Sequence, residues 1–412
     1  MKKRGSITRL IMLVSSLFLL SSLARSQVVV GQYEDEAPVR TWNNLGILTA
    51  PAAAMGETRF ALARDSSVSL SNPALLTRLP KFTVTLNGSL NRTSFFRYSL
   101  VNTGAVSTSE NITLQVYSWD YAGLSYSFKG WSIALNLALT EYYYRPEIFA
   151  RFTFEGQTYQ TLWFEQEGTL QTINFSLARK INDRLAFGLG FNIISGSTDK
   201  SVEDKDLFPQ VTISDAVRHD FSGFYLNGGI VFDATESLVL AAVFRAPYTK
   251  KSESESARRF LSPEVSLASD AAAEGAYEQP LVIGLGAHCK ITRELSLASD
   301  LSFFNWRHYA ARSFEEDLRR DFKNVLKIGA GLEYRTSFRL FSKDVRMPLR
   351  IGFTYDPQPV REPDVHYVYI ALGTGMHMGR FSVDVAALIG RESGSGNDLS
   401  AQKFVLSVSY RQ

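Results

Sequence analysis

Arg245, Lys327 and Arg350 each stand beside large apolar residues in segments of alternating hydrophobicity. Phe244 precedes the first, Leu326 and Ile328 flank the second, and Leu349 and Ile351 flank the third. Period-two alternation sends neighbours to opposite faces, so these cations share the less apolar face with Lys290, Asp300, Glu333 and Asp384. Two chemistries are open to such a face. A guanidinium or ammonium can hold the carboxylate head of an amphipathic acid through charge-assisted hydrogen bonds. Equally, each cation can pair with a neighbouring acid and serve the structure alone. Reactive chemistry finds no support. His219, His288, His308, His366 and His377 are scattered without metal-ligand spacing. There is no Gly-x-Ser-x-Gly elbow and no phosphate loop, and Gly188-x-Gly190 and Gly284-x-Gly286 complete no dinucleotide fingerprint. Cys289 is the single cysteine, which excludes a disulfide framework. The chain reads as a non-enzyme without metal or cofactor.

The elements that must carry these residues are strands. In Trp131-Ser-Ile133-Ala-Leu135-Asn-Leu137-Ala-Leu139 every odd position is large and apolar, and Leu185 to Ile193 repeats the pattern around Gly188, Gly190 and Asn192. Fourteen such segments are expected, near 82–98, 112–128, 131–144, 169–181, 185–194, 220–232, 238–248, 279–291, 295–306, 322–334, 348–355, 367–376, 381–390 and 403–411. Tight turns such as Lys129-Gly130 and Gly379-Arg380 alternate with long polar loops at 99–111, 145–168, 195–219, 249–278, 307–321, 356–366 and 391–402. Only the link at 335–347 is longer than its short slot requires. An even strand number with short turns on one rim and long loops on the other predicts an all-β fold, a transmembrane antiparallel β-barrel. Tyr142 to Tyr144, Trp306, Tyr355, Tyr367 and Tyr369 fall where an interfacial aromatic girdle is expected.

Composition agrees. The chain has 412 residues, 45% hydrophobic and 12% aromatic, too apolar and aromatic for disorder. Its 44 basic and 41 acidic residues leave a net charge of only +3, so no global field favours nucleic acid. A mean hydropathy of −0.07 excludes a polytopic helical membrane protein. At the N-terminus Lys2, Lys3, Arg4 and Arg9 precede an apolar run from Leu10 to Leu20, with Ala24 and Ser26 at the −3 and −1 positions of a cleavage site. Residues 1–26 are therefore expected to be a signal peptide and the protein to be exported.

Residues 27–80 do not alternate. They hold an acidic patch (Glu34, Asp35, Glu36), an Ala/Gly-rich stretch and then Asp65-Ser66-Ser67 and Asn72-Pro73-Ala74. A segment of this length ahead of so wide a barrel, 81–412, is expected to fold into the lumen as a plug. Asn-Pro is a turn former, and small residues around it allow close packing to a wall.

Here the chain resembles the FadL-like outer-membrane transporters of long-chain fatty acids and hydrophobic compounds. Asp65-Ser66-Ser67 and Asn72-Pro73-Ala74 are similar to the end of that family's hatch. Phe244-Arg245-Ala246-Pro247 is similar to its aromatic-Arg-Ser-Pro, and Leu349-Arg350-Ile351-Gly352-Phe353-Thr354-Tyr355-Asp356-Pro357-Gln358-Pro359-Val360 to its Leu-Arg-Leu-Gly motif. The chain departs from the pattern in its longer acidic lead and in ending Tyr410-Arg411-Gln412, where most such barrels carry an aromatic residue.

The resemblance implies an outer-membrane location in a Gram-negative bacterium, among phospholipid and lipopolysaccharide, after insertion by the barrel assembly machinery. It implies capture of a fatty acid or aromatic hydrocarbon by extracellular loops and sideways release through the wall when the hatch shifts. Burying an acyl chain contributes about 0.8 kcal/mol per methylene. Arg245, Lys327 and Arg350 are the candidates for its head. Phe208 in the loop 195–219 and Phe260 in the loop 249–278 are candidates for capture, or else pack their own loops together. The competing expectation is a barrel of the same fold that binds a protein partner at its loops, as a secretion or attachment component.

Overall fold

The computed structural model describes residues 45–97, 110–143, 145–154, 157–207, 210–312, 317–318, 322–340, 343–362, 364–394 and 400–412. The expected signal peptide, the acidic patch and Phe208 lie outside the described residues.

The first strands are β1 (Phe82–Arg97), β2 (Glu110–Phe128), β3 (Trp131–Tyr142), β4 (Arg145–Phe154), β5 (Gln157–Lys180), β6 (Leu185–Leu207) and β7 (Gln210–Asp233). There follow β8 (Leu238–Arg245), β9 (Tyr248–Leu261), β10 (Ser266–Gln279), β11 (Val282–Lys290), β12 (Leu295–Phe304), β13 (Ala310–Arg312) and β14 (Asp317–Leu318). The last are β15 (Val325–Leu340), β16 (Lys343–Pro357), β17 (His366–Met378), β18 (Phe381–Ser393) and β19 (Ser400–Arg411). Some of these are halves of one interrupted barrel strand. β5 pairs with both β3 and β4, and β7 with both β8 and β9. The breaks at Ala246-Pro247 and Pro280-Leu281 lie opposite each other, between the Tyr248–Gln279 and Arg245–Val282 pairs. Proline has no N–H to give the ladder, so an interruption there is expected.

Joined in this way, the strands form a closed antiparallel barrel of 14, the number the alternation predicts. β1 closes it against β19 from Thr83–Arg411 to Ser94–Ser400. Closure is what lipid demands, because an open edge there would leave backbone groups without partners. On β3, Trp131, Ile133, Leu135 and Leu137 face outward, while Ser132, Ala134, Asn136 and Ala138 are buried inside.

Three expected loops are strands instead. Residues 145–168, 195–219 and 249–278 continue β4 to β7, β9 and β10 as long hairpins, with β6 and β7 paired as far as Leu207–Gln210. Their polar composition hid them, since a hairpin standing in water needs its backbone ladder but no apolar face. The long link at 335–347 has the same cause, as β15 and β16 run on to Leu340 and Lys343.

Residues 45–79 touch inward-facing groups right round the ring. Ala50 N donates to Ser407 Oγ at 2.7 Å, Arg59 N to Asp300 at 2.6 Å and Ser66 Oγ to the Gly123 carbonyl at 3.1 Å. The segment has short helical turns at Ala50–Ala53 and Val68–Ser71 and a 3-10 helix at Pro73–Arg78. One turn reaches the backbone of the wall itself. A Cβ placed on Gly352 would stand 1.9 Å from Gly56 N, and Gly56 has φ +64°. Glycine at both positions is what permits that approach.

Candidate functional site

Inward parity sets a polar frame for this segment. Asn136, Asn174, Asn192 and Asn227, on β3, β5, β6 and β7, donate each to the next at 2.8 Å. Asn227 Nδ2 then donates to the Ser69 carbonyl at 2.9 Å, and Asn136 Nδ2 to Ser69 Oγ at 2.8 Å. The motif residues of the segment hold its own turns. Asp65 accepts from Thr49 Oγ1 at 2.8 Å and from Ser67 N at 3.0 Å. Asn72 caps the 3-10 helix by accepting from Ala74 N at 3.1 Å, and its amide donates to the Phe60 carbonyl at 2.7 Å. Pro73 and Ala74 are fully buried against Gly188 of β6, where a side chain would collide with them.

The three predicted cations separate into two kinds. Arg350 lies 2.7 Å from Glu333 and 2.7 Å from Asp384, and Glu333 also holds Arg64 at 2.5 Å. Lys327 lies 2.8 Å from Glu57 and 2.9 Å from Asp356. These two are ion pairs, and in both the N-terminal segment supplies a partner. Burial lowers the pKa of the segment's Arg59 and Arg64, opposed by Glu57 and Glu333 respectively. Arg245 is different. It is buried on the inner face, its Cζ 5.8 Å from the centre of the Tyr248 ring, and its Nε has no hydrogen-bond partner among the described residues. Lys290, expected on the same face, is exposed at the end of β11. Phe260 is half-buried on β9 opposite Ile213 and Leu267, packed within the hairpins away from Arg245.

Sequence reasoning missed the inner aromatic surface beside Arg245. Tyr143, Leu170, Ile194 and Phe221 form a buried cluster, with Tyr225, Tyr248 and Tyr277 packed on it. Tyr225 stacks on Tyr248 at 4.8 Å. Lys250 enters the cluster over the rings of Phe221, Tyr143 and Tyr277 at 4.7, 5.2 and 5.2 Å, and its Nζ lies 3.1 Å from Glu141. Period-two counting could not have found this surface, because inward parity passes from odd positions (Val243, Arg245) to even ones (Lys250, Ser252) across the break at Ala246-Pro247. The girdle expectation needs the matching correction, since Trp306, Tyr367 and Tyr369 are buried rather than lipid-facing.

Beside this surface the wall is unstitched. β2 pairs with β3 only from Phe128–Trp131 to Tyr121–Ala138. Beyond that, β2 stays on β1 as far as Glu110, while β3 and β4 stay on β5. Among the described residues no backbone pairing joins the two sides.

Fold and interior define a closed transmembrane β-barrel whose residues 45–79 are hydrogen-bonded to inward-facing groups of the strands. The chain matches the BamG family model over residues 48–406 and belongs to that family. No curated protein matches it. Its fold is similar to that of a FadL homologue from Pseudomonas aeruginosa, 14% identical, covering 89% of this chain and 99% of that one at a TM-score of 0.64. The toluene transporter TbuX of Ralstonia pickettii is 14% identical over 89% and 99% of the chains, at 0.62. The toluene transporter TodX of P. putida is 12% identical over 90% and 99%, at 0.64.

Proposed function

We propose that the chain is an outer-membrane channel for uptake of hydrophobic molecules, long-chain fatty acids or aromatic hydrocarbons. The molecule enters at the extracellular hairpins, lies against the aromatic inner surface and leaves sideways between β2 and β3. Residues 27–80 act as the hatch, and Arg245 receives the head of an acidic ligand. The observation that carries this reading is the unpaired stretch of wall above Tyr121–Ala138, adjoining Tyr143 and the aromatic cluster. An apolar molecule has reason to leave a polar lumen through a gap that opens on hydrocarbon. The fold shared with transporters of toluene supports it.

The test is to purify the barrel in a non-acyl detergent, identify co-purifying molecules by mass spectrometry, and compare cellular uptake of a fluorescent fatty acid with and without the chain. A stoichiometric fatty acid or hydrocarbon together with chain-dependent uptake is expected. An empty barrel that carries a protein partner and changes no uptake would replace the reading. A second reading, a protein-handling barrel, is favoured by membership of the BamG family, a name that points to barrel assembly. The tall hairpin sheet of β4 to β10 would be its contact surface.

A further inference from the structure

Where β2 and β3 part, side chains take over from the backbone ladder. The register of β1 on β2 slips between Asn87 and Gly88, leaving Asp120 unpaired, and β-bulges of this kind re-aim a side chain. Asp120 turns inward and is buried, while its neighbour Trp119 is 80% exposed. Asn87 Nδ2 donates to Asp120 at 3.3 Å, and Lys403 stands 3.9 Å from it. On the opposite lip the register of β3 on β5 slips between Leu139 and Glu141. Beyond the slip, Glu141 and Tyr143 both meet Lys250, with Tyr143 Oη 2.7 Å from the ammonium. Tyr142, between them, is sent the other way. Its hydroxyl spans the unstitched seam to Asp120 and to Ser118 Oγ, the latter at 2.5 Å.

We propose that Tyr142 is the bar of a lateral gate, closed on Asp120 and Ser118 of β2. The proposal rests on the reading that cargo leaves through this wall. Above Tyr121–Ala138 no described backbone pair joins the lips, and the Tyr142 hydroxyl, held by Asp120 and Ser118, bridges them. A passing apolar molecule can offer none of these groups a hydrogen bond. The bar must therefore swing to water in the lumen or to another polar neighbour, which makes opening a discrete event.

The test uses the full barrel in proteoliposomes, with Thr140→Cys as reporter just inside the seam and Cys289→Ala to remove the native thiol. The probe is a long-chain alkyl maleimide confined to the bilayer. Tyr142→Phe keeps the ring and loses the donor to a charged acceptor, so labelling is expected to quicken about tenfold. Asp120→Asn, which weakens the acceptor, should move it the same way by less. A Ser118→Cys/Tyr142→Cys pair should stop labelling when oxidised and restore it when reduced. Unchanged labelling in Tyr142→Phe and Asp120→Asn barrels that remain heat-modifiable overturns the gate, whatever uptake does. Faster labelling with no chain-dependent uptake of any hydrophobic probe keeps the gate and removes the transport reading instead.

Discussion

Arg64 of the N-terminal segment lies 2.5 Å from Glu333 of β15, and the same carboxylate holds Arg350. One buried acid therefore ties the segment to the wall and the wall to itself. Glu333→Gln would leave three guanidinium groups short of charge, those of Arg64, Arg350 and the more exposed Arg335. Breaking a buried pair by removing one partner costs about 3–5 kcal/mol. Denaturant unfolding of the purified variant should show a loss of that order, and a loss below about 1 kcal/mol would mean solvent reaches the pair.

Gly352→Ala is expected to dislodge the segment without opening the barrel. The added methyl would stand 1.9 Å from Gly56 N, a backbone atom that cannot move alone. Planar-bilayer recording should show larger or more frequent current steps than in the native protein. Identical currents would place the ion path away from Gly56.

Deleting residues 27–71 should leave a folded, heat-modifiable barrel that conducts more, because β1 and β19 close the ring without help from the segment. Failure to assemble would show instead that the segment templates the strands.

Arg245→Met and Lys327→Met should part company. Lys327 neutralises Glu57 and Asp356, so its loss should lower stability by about 3 kcal/mol or more. Arg245 has no such acid among the described residues, so its loss should spare stability. Binding of a fluorescent fatty acid should weaken while that of an uncharged hydrocarbon holds. Equal loss for both ligands would make Arg245 a packing residue.

The barrel was legible in the sequence because lipid imposes one rule on every strand. Leu135 and Asn136 could be assigned to opposite faces from spacing alone, and the fourteen segments follow. Outside the lipid the rule lapses. Val202 to Leu207 alternates nothing, yet it is strand, since its backbone is satisfied by β7. Arg350 and Lys327 were placed on the correct face, but their partners were only half visible. Asp384 lies in an alternating strand, whereas Glu57 and Arg64 belong to a segment with no period. The seam was invisible for a related reason. It depends on two register slips, and a slip leaves no mark in composition.

The asparagine row has a direction. Tyr121 donates into Asn136, each amide passes its donor to the next, and the row ends on the Ser69 carbonyl. Turning one amide round would set donor against donor on one side and acceptor against acceptor on the other. The four therefore share a single orientation and behave as one unit, so the penalties for altering two of them should not add. The inner wall thus grips its guest collectively, and letting go would be all-or-none rather than gradual.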